Sequence, residues 1–319
     1  MKRVLITGVT GFAGSHLAEF LISKNEYDVS GTYLYQDSIA ILGETKDKIR
    51  LVKSDLTKED EVNDLLKSVK PDYIFHLAAL ASPAASFKNP LETIENNIAA
   101  QINLFSKVLS NKLLDARILV ISSAEVYGLV SKKSLPMDED TELMPSSPYA
   151  VSKLSQDFLG LQYYLSYNLK VVRVRPFNHI GPRQSSNFVV ADFARKIAEI
   201  EKKIVKPVIH VGNLTAKRDF TDVRDVVRAY VLAIEKGKLG EAYNIGSEKS
   251  YKISDILDKL LGMSSVKIEI STDKEKFRPV DIPELLCDAS KFKKLTNWKP
   301  KIPIEVTLKD TLDYWRKIV

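Results

Sequence analysis

Two kinds of hydrophobic pattern alternate along the chain up to residue 175. Short runs rich in β-branched and aromatic residues predict strands at 2–7, 29–35, 49–53, 73–77, 117–122 and 171–175. Apolar residues spaced three and four apart predict helices between them, among them 59–68, 96–110 and 149–167. This alternation is typical of βαβ units. It predicts an α/β fold with a Rossmann-type, doubly wound parallel sheet that carries helices on both faces.

The rest of the sequence predicts a smaller lobe beside this sheet. A helix at 222–236 and a strand at 242–245 are expected to return to the main sheet. We therefore expect a dinucleotide-binding domain of residues 1–176 plus about 217–248, and a substrate-binding lobe of 177–216 plus about 249–319. The cleft between two such lobes is a usual place for a small-molecule site.

The amino-acid composition limits the classes of partner that the protein is expected to bind. The net charge of +6 comes from 47 basic and 41 acidic residues that are interspersed, which favours an anionic small molecule over nucleic acid. The single cysteine, Cys287, excludes an internal disulfide and fits a reducing compartment. No apolar run reaches the roughly 18 residues of a membrane span. We expect a cytoplasmic protein with no membrane partner and no metal.

Three glycines, Gly8, Gly11 and Gly14, separate the first predicted strand from an apolar-periodic stretch through Leu17 and Leu21. Glycines at this spacing let the backbone turn tightly and approach a pyrophosphate, whose charge then lies at the helix N-terminus. The alternative is a purely structural turn. The position between a strand and a helix favours a dinucleotide site, with contacts from Gly8, Gly11, Phe12, Ala13 and Gly14.

Ligands of parallel sheets bind beyond the carboxyl ends of the strands, so the residues that follow each strand are candidates. Asp55, followed by Leu56, comes after the third strand; its carboxylate can accept the adenine amino group or cap the helix before Glu59. The fourth strand ends in small and apolar residues across which a dinucleotide can lie flat, namely Leu77, Ala78 and Ala79. Ser123 follows the fifth strand and can bond a substrate oxygen, although serine is also ordinary in turns.

Tyr149 and Lys153 stand four residues apart on a predicted helix, so one face presents a phenol beside an ammonium. A nearby positive charge favours the phenolate, and we expect it to lower the tyrosine pKa from its usual value of about 10. A tyrosine so placed is suited to proton transfer. The pair alone is common on helices, and it gains weight from the glycine turn and Ser123 upstream.

The glycine turn, Ser123, Tyr149 and Lys153, in this order and spacing, resemble the extended short-chain dehydrogenase/reductase superfamily in its nucleotide-sugar epimerase/dehydratase branch. The resemblance covers essentially the whole chain. It implies that Tyr149 exchanges a proton with a sugar oxygen, that Lys153 lowers the tyrosine pKa and holds the nicotinamide ribose, and that Ser123 orients the oxygen. Hydride passes between the nicotinamide and a sugar carbon.

Members of that branch pair as homodimers through two helices. The matching segments here are 97–110 and 149–167, and the second carries an apolar stripe of Leu154, Phe158, Leu161 and Leu165. A stripe that packs in the core has the same spacing.

The second half of the sequence resembles the GDP-mannose group of the branch, through the stretches 173–184, 187–190, 211–214 and 217–225. By that resemblance Arg218 and Arg278 clamp a diphosphate, and guanidinium forks suit phosphate oxygens. A surface salt bridge is the alternative for each arginine. The expected substrate contacts are Asn178, Phe188, Val189, Asp192, Val211, Asn213, Arg218, Arg278 and Asp281, with Asn178 on a phosphate or sugar oxygen and Asp281 on the ribose.

Asp192 is a candidate for guanine recognition. Guanine presents two adjacent N–H donors that a carboxylate accepts, and Asp192 lies four residues beyond Phe188 on one predicted helix face. The alternative is a solvated helix residue.

Glu125 is the residue that bears on whether the protein catalyses a dehydration or a reduction. Dehydration needs a second acid or base to remove the C5 proton, and the resembled dehydratases keep a glutamate two residues after the serine, where Glu125 stands. The reductases of the group can carry a carboxylate there too. In their resemblance, the compact length and the stretches 11–14, 178–182 and 218–222 look closer to the reductases of the group, which act on GDP-4-keto-6-deoxy-D-mannose, than to the GDP-mannose 4,6-dehydratases. A UDP- or dTDP-sugar enzyme and a non-catalytic dinucleotide sensor are further alternatives, and the Tyr149–Lys153 pair disfavours the sensor.

The choice between NAD(H) and NADP(H) stays open. An acidic residue at the end of the second strand would select NAD and an arginine would suit NADP, yet residues 31–36, which include the expected cofactor contact Thr32, supply neither. Asp37 comes slightly late and Arg50 lies on the neighbouring strand. We expect a relaxed preference.

Overall fold

The computed structural model describes residues 1–277 and 279–319, so Arg278, an expected diphosphate contact, lies outside the described residues. The strands are β1 Lys2–Thr7, β2 Tyr27–Tyr33, β3 Arg50–Lys53, β4 Tyr73–His76, β5 Arg117–Ile121, β6 Lys170–Pro176, β7 Asn178–Ile180, β8 Val208–Val211, β9 Lys217–Asp222, β10 Ala242–Ile245, β11 Ser250–Lys252 and β12 Glu269–Thr272. The helices are α1 Phe12–Ser23, α2 Glu59–Val69, α3 Pro83–Lys88, α4 Pro90–Ser110, α5 Pro148–Tyr167, α6 Val189–Glu201, α7 Val223–Lys236, α8 Ile253–Leu261, α9 Ser290–Thr296 and α10 Ile304–Ile318. A long 3₁₀ segment, Gln36–Lys48, follows β2.

Seven strands form the central sheet in the order β10-β6-β5-β4-β1-β2-β3, and every neighbouring pair is parallel. The α/β prediction is therefore confirmed. Each predicted strand lies within about two residues of an observed one; β2, for example, begins at Tyr27 rather than at residue 29. Because all strands run the same way, the segments that follow β1, β4 and β5 meet at one edge of the sheet.

Both faces of the sheet are covered by helices. On β1, Val4 and Ile6 point into a core with α1, α7 and Trp298, while Leu5 points into a second core with α2 and α4. Alternate residues of a strand face opposite sides, so β1 is buried on both. This is why the first strand is a continuous apolar run.

A separate core lies under two small sheets of order β11-β9-β7 and β12-β8. Helices α6, α8 and α10 pack there through Phe193, Ile197, Leu257, Leu260 and Leu308, all of which are buried. Strand β9, although its residues fall in the range expected for the first domain, pairs with β7 and β11. The domain boundaries remain a prediction.

Within residues 1–277 and 279–319, no helix combines the length and apolarity needed to cross a bilayer.

Candidate active site

The glycine turn needs glycine at two of its positions. Gly8 has a φ of +70°, and a Cβ there would lie 2.9 Å from the Cα of Ala78. A Cβ on Gly14 would lie 2.3 Å from the carbonyl oxygen of Gly8. Helix α1 starts directly after this turn, and its N-cap residue Gly11 brings no side chain to the first N–H groups. A tight turn opening onto uncapped helical N–H groups fits the phosphates of a dinucleotide.

Hydrogen bonds tie the ends of β1, β2 and β4 together beside this turn. The backbone N–H groups of Leu77 and Ala78 both donate to Oγ1 of Thr7 at 3.1 Å, and the N–H of Gly8 donates to Oγ1 of Thr32 at 2.9 Å. The structure thus brings together predicted cofactor contacts from three strands. We refer to this surface, formed by Gly8, Thr32, Leu77 and Ala78, as the groove floor.

Asp55 occupies a turn rather than a helix cap. Its Oδ1 accepts hydrogen bonds from the N–H and hydroxyl of Thr57 at 3.0 and 2.7 Å. The N-cap of α2 is Lys58. The capping alternative for Asp55 is therefore wrong, because the helix begins three residues too late for it, and the adenine role stays a prediction.

The start of α5 brings Tyr149 to the end of β5. Ser147 caps the helix by accepting from the N–H of Ala150 at 3.1 Å, and the N–H of Tyr149 itself donates to Oγ of Ser86 at 3.1 Å. Ser123 lies two residues beyond the end of β5, and its Oγ accepts from the N–H of Glu125 at 3.2 Å. Ser123 and Tyr149 are each 8% exposed and Lys153 is 4% exposed, so the three predicted catalytic side chains are nearly dry.

Burial controls the titration of Tyr149. It raises the pKa of the phenol to about 12, a hydrogen bond with Ser123 lowers it, and the charge of Glu125 raises it further. The expectation that Lys153 lowers this pKa is wrong for this structure. The lysine amine instead donates to Oε1 of Gln156 at 2.7 Å, and burial outweighs any benefit to the phenolate. Tyr149 is therefore a protonated phenol at neutral pH.

The same burial acts on Lys153 in the opposite sense. It lowers the pKa of the amine to about 7, and the charge of Asp157 opposes the shift. Asp157 is in turn held by two buried arginines of β6, through an ion pair with Arg173 and a 2.8 Å bond from Nε of Arg175. Removing either partner of such a set leaves a buried charge uncompensated, so this cluster fixes α5 against the sheet.

Three of the predicted substrate residues meet in one network. Nη2 of Arg218 donates to Oδ1 of Asp281 at 3.0 Å, and Nδ2 of Asn213 donates to the other carboxylate oxygen at 2.6 Å. Arg218 also holds the carbonyl oxygen of Ile282 at 2.7 Å and is 8% exposed. Arg218 therefore forms the ion pair that the alternative expected, with the guanidinium buried rather than on the surface, and its diphosphate role stays a prediction.

The remaining predicted contacts lie at strand and helix ends. On β7, the side-chain oxygen Oδ1 of Asn178 is buried and accepts no hydrogen bond within the part of the chain that the structure describes. Phe188 is the N-cap of α6 and Val189 its first residue, while Val211 is buried at the end of β8. Asp192, on the first turn of α6, lies 3.3 Å from Nζ of Lys276 and 3.6 Å from Nζ of Lys196.

Sequence reasoning missed Asn97, which links the loop after β4 to α5. Its Oδ1 accepts from the N–H of Leu80 at 2.7 Å, and its Nδ2 donates to the carbonyl of Leu80 at 3.1 Å and to Oγ of Ser152 at 2.9 Å. A polar residue on the inward face of a helix was the only available signal. Among the residues that the structure describes, no three His, Cys, Asp or Glu side chains are grouped to hold a metal ion.

Comparison with known proteins adds to this geometry. Residues 5–311 match the model of the family described as GDP-mannose 4,6 dehydratase. The chain is 32% identical to the GDP-6-deoxy-D-mannose reductase of Pseudomonas aeruginosa, over 100% of this chain and 98% of that protein. It is 30% identical to GDP-mannose 4,6 dehydratase 1 of Arabidopsis thaliana, over 98% of this chain and 89% of that protein. The solved structure of RMD from Pseudomonas aeruginosa complexed with NADPH superposes with a TM-score of 0.88 at 31% identity, over 100% of both chains.

Proposed function

The chain belongs to the GDP-mannose 4,6 dehydratase family, and we propose that within it the protein is an NAD(P)H-dependent reductase. Its substrate is GDP-4-keto-6-deoxy-D-mannose, and its product is a GDP-6-deoxyhexose of the GDP-D-rhamnose type. The observation that carries this proposal is the placement of Tyr149 at the start of α5, buried like Ser123 and one turn before Lys153 on the same helix. A protonated phenol is the form that delivers a proton to a reduced keto oxygen.

The chain's own residues position and protonate the substrate. The nicotinamide supplies the hydride when it is bound. Tyr149 gives its proton to the sugar oxygen at C4, Ser123 orients that oxygen, and Lys153 holds the nicotinamide ribose. Because all three side chains are nearly dry, their hydrogen bonds are stronger than they would be in water.

The groove floor and the glycine turn hold the dinucleotide. Gly8, Gly11 and Gly14 let the backbone approach the pyrophosphate, and the first turn of α1 faces its charge. Thr32, at the end of β2, lies beside the ribose whose 2′ position distinguishes NAD from NADP. Leu77, Ala78 and Ala79 lie along the dinucleotide, and Asp55 and Leu56 contact the adenine. The similarity to a structure complexed with NADPH supports a nicotinamide dinucleotide.

The substrate's nucleotide end is held by the network around Arg218. Arg218 contacts the diphosphate, Asp281 the ribose, and Asn178 a phosphate or sugar oxygen. Nδ2 of Asn178 can donate to a phosphate oxygen, and its buried Oδ1, which accepts no hydrogen bond within the described residues, can accept from a sugar hydroxyl. Asp192 reads the guanine. The high similarity to proteins named for GDP-sugars supports this choice of nucleotide.

A second function, dehydration of GDP-mannose, is favoured by one observation. Glu125 stands two residues after Ser123, and its backbone N–H donates to Oγ of that serine at 3.2 Å, so it belongs to the same segment as the predicted catalytic serine. In that reaction Glu125 removes the C5 proton.

One paired assay separates the two functions. The protein is incubated with GDP-4-keto-6-deoxy-D-mannose and either NADH or NADPH, and separately with GDP-mannose alone. Oxidation of the reduced cofactor with formation of a GDP-deoxyhexose supports the reductase. Conversion of GDP-mannose to the 4-keto sugar without net cofactor use assigns the dehydratase, and turnover only on UDP- or dTDP-sugars overturns both. A difference between NADH and NADPH affinity beyond about a hundredfold, or about 2.7 kcal/mol, contradicts a relaxed cofactor preference.

The protein is also proposed to form a homodimer through α4 and α5. Two members of the predicted stripe, Phe158 and Leu165, are 48% and 68% exposed, while Leu154 packs in a core cluster. Exposed aromatic and aliphatic side chains on one face of a long helix suit a two-fold interface. Sedimentation of the wild type and of F158D tests it; a monomeric wild type contradicts it.

A further inference from the structure

Three buried polar side chains behind Lys153 have no part in the reaction described above. Gln156 lies one turn further along α5, His76 ends β4 and Thr7 ends β1. Gln156 is 1% exposed, His76 is 2% exposed and Thr7 is fully buried. Burying three polar side chains costs free energy unless each is hydrogen-bonded, so their contacts need an explanation.

The contacts form a continuous chain from the lysine to the groove floor. Nζ of Lys153 donates to Oε1 of Gln156 at 2.7 Å. Nε2 of Gln156 donates to the carbonyl oxygen of Asn97 at 2.9 Å and lies 3.4 Å from Nε2 of His76. Nδ1 of His76 lies 3.0 Å from Oγ1 of Thr7, which accepts the N–H groups of Leu77 and Ala78.

Donor and acceptor types fix the orientation of the Gln156 side-chain amide. An ammonium only donates and a carbonyl only accepts, so Gln156 must turn Oε1 to Lys153 and Nε2 to Asn97. Its second N–H then points toward Nε2 of His76, 3.4 Å away. Nδ1 of the ring lies 3.0 Å from Oγ1 of Thr7, whose two lone pairs already accept the N–H groups of Leu77 and Ala78. Burial and the charge of Lys153 lower the pKa of His76 to about 3, which keeps the ring neutral.

We propose that Gln156 is a positioning residue for Lys153, whose neutral amide holds the lysine amine in one place and ties it through His76 and Thr7 to the groove floor. This inference rests on the proposed role of Lys153 toward the nicotinamide ribose. A lysine side chain has four rotatable bonds, and a fixed acceptor removes the freedom that would otherwise misplace the amine.

The neutrality of the amide matters as much as its position. The charged and titratable groups around the amine are His76 on β4 and Asp157 on α5, and Asp157 is paired with Arg173 and Arg175 on β6. The charge of Asp157 is thus already shared with two arginines. Tyr149 stands one turn before Lys153 on α5. A neutral acceptor leaves the pKa of Lys153 at about 7, whereas a carboxylate at the same place would hold the amine as an ammonium.

The test compares two changes at one position. Q156L removes the acceptor with similar volume, and Q156E keeps an acceptor but adds a charge. Affinity for NADPH, measured by fluorescence, and kcat are followed from about pH 6 to about pH 10. We expect the alkaline limb of both profiles to move up by about one pH unit or more in Q156E and down in Q156L, with kcat of Q156L about tenfold lower at neutral pH.

Gln101 supplies a matched control. It is buried on α4, and its Nε2 donates to the backbone carbonyl of Gln156 at 2.7 Å. Q101L should lower thermal stability without moving the pH profile. A purely structural role for Gln156 predicts unmoved limbs in both Q156 variants, or equal movement in Q101L, and either result overturns the proposal.

Failure of the Q156L variant to fold and failure of the proposed function can each be distinguished from failure of this proposal. If Q156L fails to fold, the shift expected in Q156E decides alone, since its direction is opposite to that of a lost contact. If the wild type turns over no GDP-sugar, the proposed function fails, but the pH dependence of NADPH binding still tests Gln156.

Discussion

Arg183 and His16 join the segment after β7 to helix α1 through a 2.7 Å hydrogen bond from Nη2 to Nδ1. The other ring nitrogen, Nε2, lies 2.9 Å from the carbonyl oxygen of Pro182. A guanidinium only donates and a carbonyl only accepts, so the ring is neutral with its proton on Nε2. Protonation of Nδ1 would break the bond to Arg183 and set two cations against each other.

This contact predicts a loss of stability in acid. Burial and the charge of Arg183 lower the pKa of His16 to about 4, against the opposing charges of Glu19 and Asp222. The contribution of His16 to the free energy of unfolding is complete above pH 6.5, the pKa of histidine in the unfolded chain. It is lost as the pH falls from 6.5 toward about 4, because in that range the unfolded chain binds the proton and the folded protein does not. We expect a loss of about 3 kcal/mol across that window.

Urea unfolding of the wild type and H16Q at several pH values measures the effect. The exposed His210 on β8 provides the control variant H210Q. The pH slope should flatten in H16Q alone; equal slopes in H16Q and wild type would show that other groups cause the acid loss.

Replacing Tyr149 with Phe should abolish proton delivery while leaving the cofactor site intact. We expect kcat to fall by about 10²- to 10⁴-fold with NADPH affinity unchanged, because the ring still packs and only the hydroxyl is lost. Tyr167, exposed at the far end of the same helix, gives the control Y167F. Stopped-flow turnover and cofactor fluorescence measure both quantities, and normal turnover in Y149F would refute the assignment.

The guanine role of Asp192 predicts a nucleotide-specific effect. D192N should weaken GDP binding by about tenfold and change UDP binding far less, because only guanine offers two adjacent donors. Loss of the contacts with Lys196 and Lys276 would affect both nucleotides alike. E199Q removes the 2.7 Å ion pair with Arg195 on the same helix and serves as the control. Calorimetric titration of wild type, D192N and E199Q with GDP and with UDP measures the effect. Equal losses for GDP and UDP in D192N would eliminate the idea.

The diphosphate role of Arg218 predicts a difference between ligands with and without phosphates. R218K keeps the charge but loses the fork, so GDP affinity should drop by about 10- to 100-fold and guanosine affinity much less. The hydrogen bonds of Arg218 to Ile282 and Asp281 support the same loop whether GDP or guanosine is bound, so losing them alone would affect both ligands alike. Parallel losses for GDP and guanosine in equilibrium binding would make the arginine structural.

The sequence pattern predicted the central sheet because its strands are buried on both faces and read as unbroken apolar runs. It placed the start of β2 two residues late, since Tyr27 is recruited by distant contacts, including a 2.6 Å bond from its hydroxyl to Glu235. Such long-range partners leave no local signal.

At the site, the glycine turn, Ser123, Tyr149 and Lys153 could be identified from their spacing. The raised pKa of Tyr149 could not, because it depends on how completely the surrounding chain excludes water. Gln156 and His76 were missed for a related reason. Neither belongs to a motif, and their contacts form only when α5 packs over the end of β4.

The most direct test of the reductase assignment is the fate of deuterium from NADPH labelled at the transferred position. The protein is given this cofactor and GDP-4-keto-6-deoxy-D-mannose, and the GDP-sugar product is examined by mass spectrometry and NMR. The reductase predicts one deuterium at C4 of a GDP-6-deoxyhexose, made in step with cofactor oxidation. A product without deuterium, or conversion of GDP-mannose to the 4-keto sugar with no cofactor consumed, would contradict it.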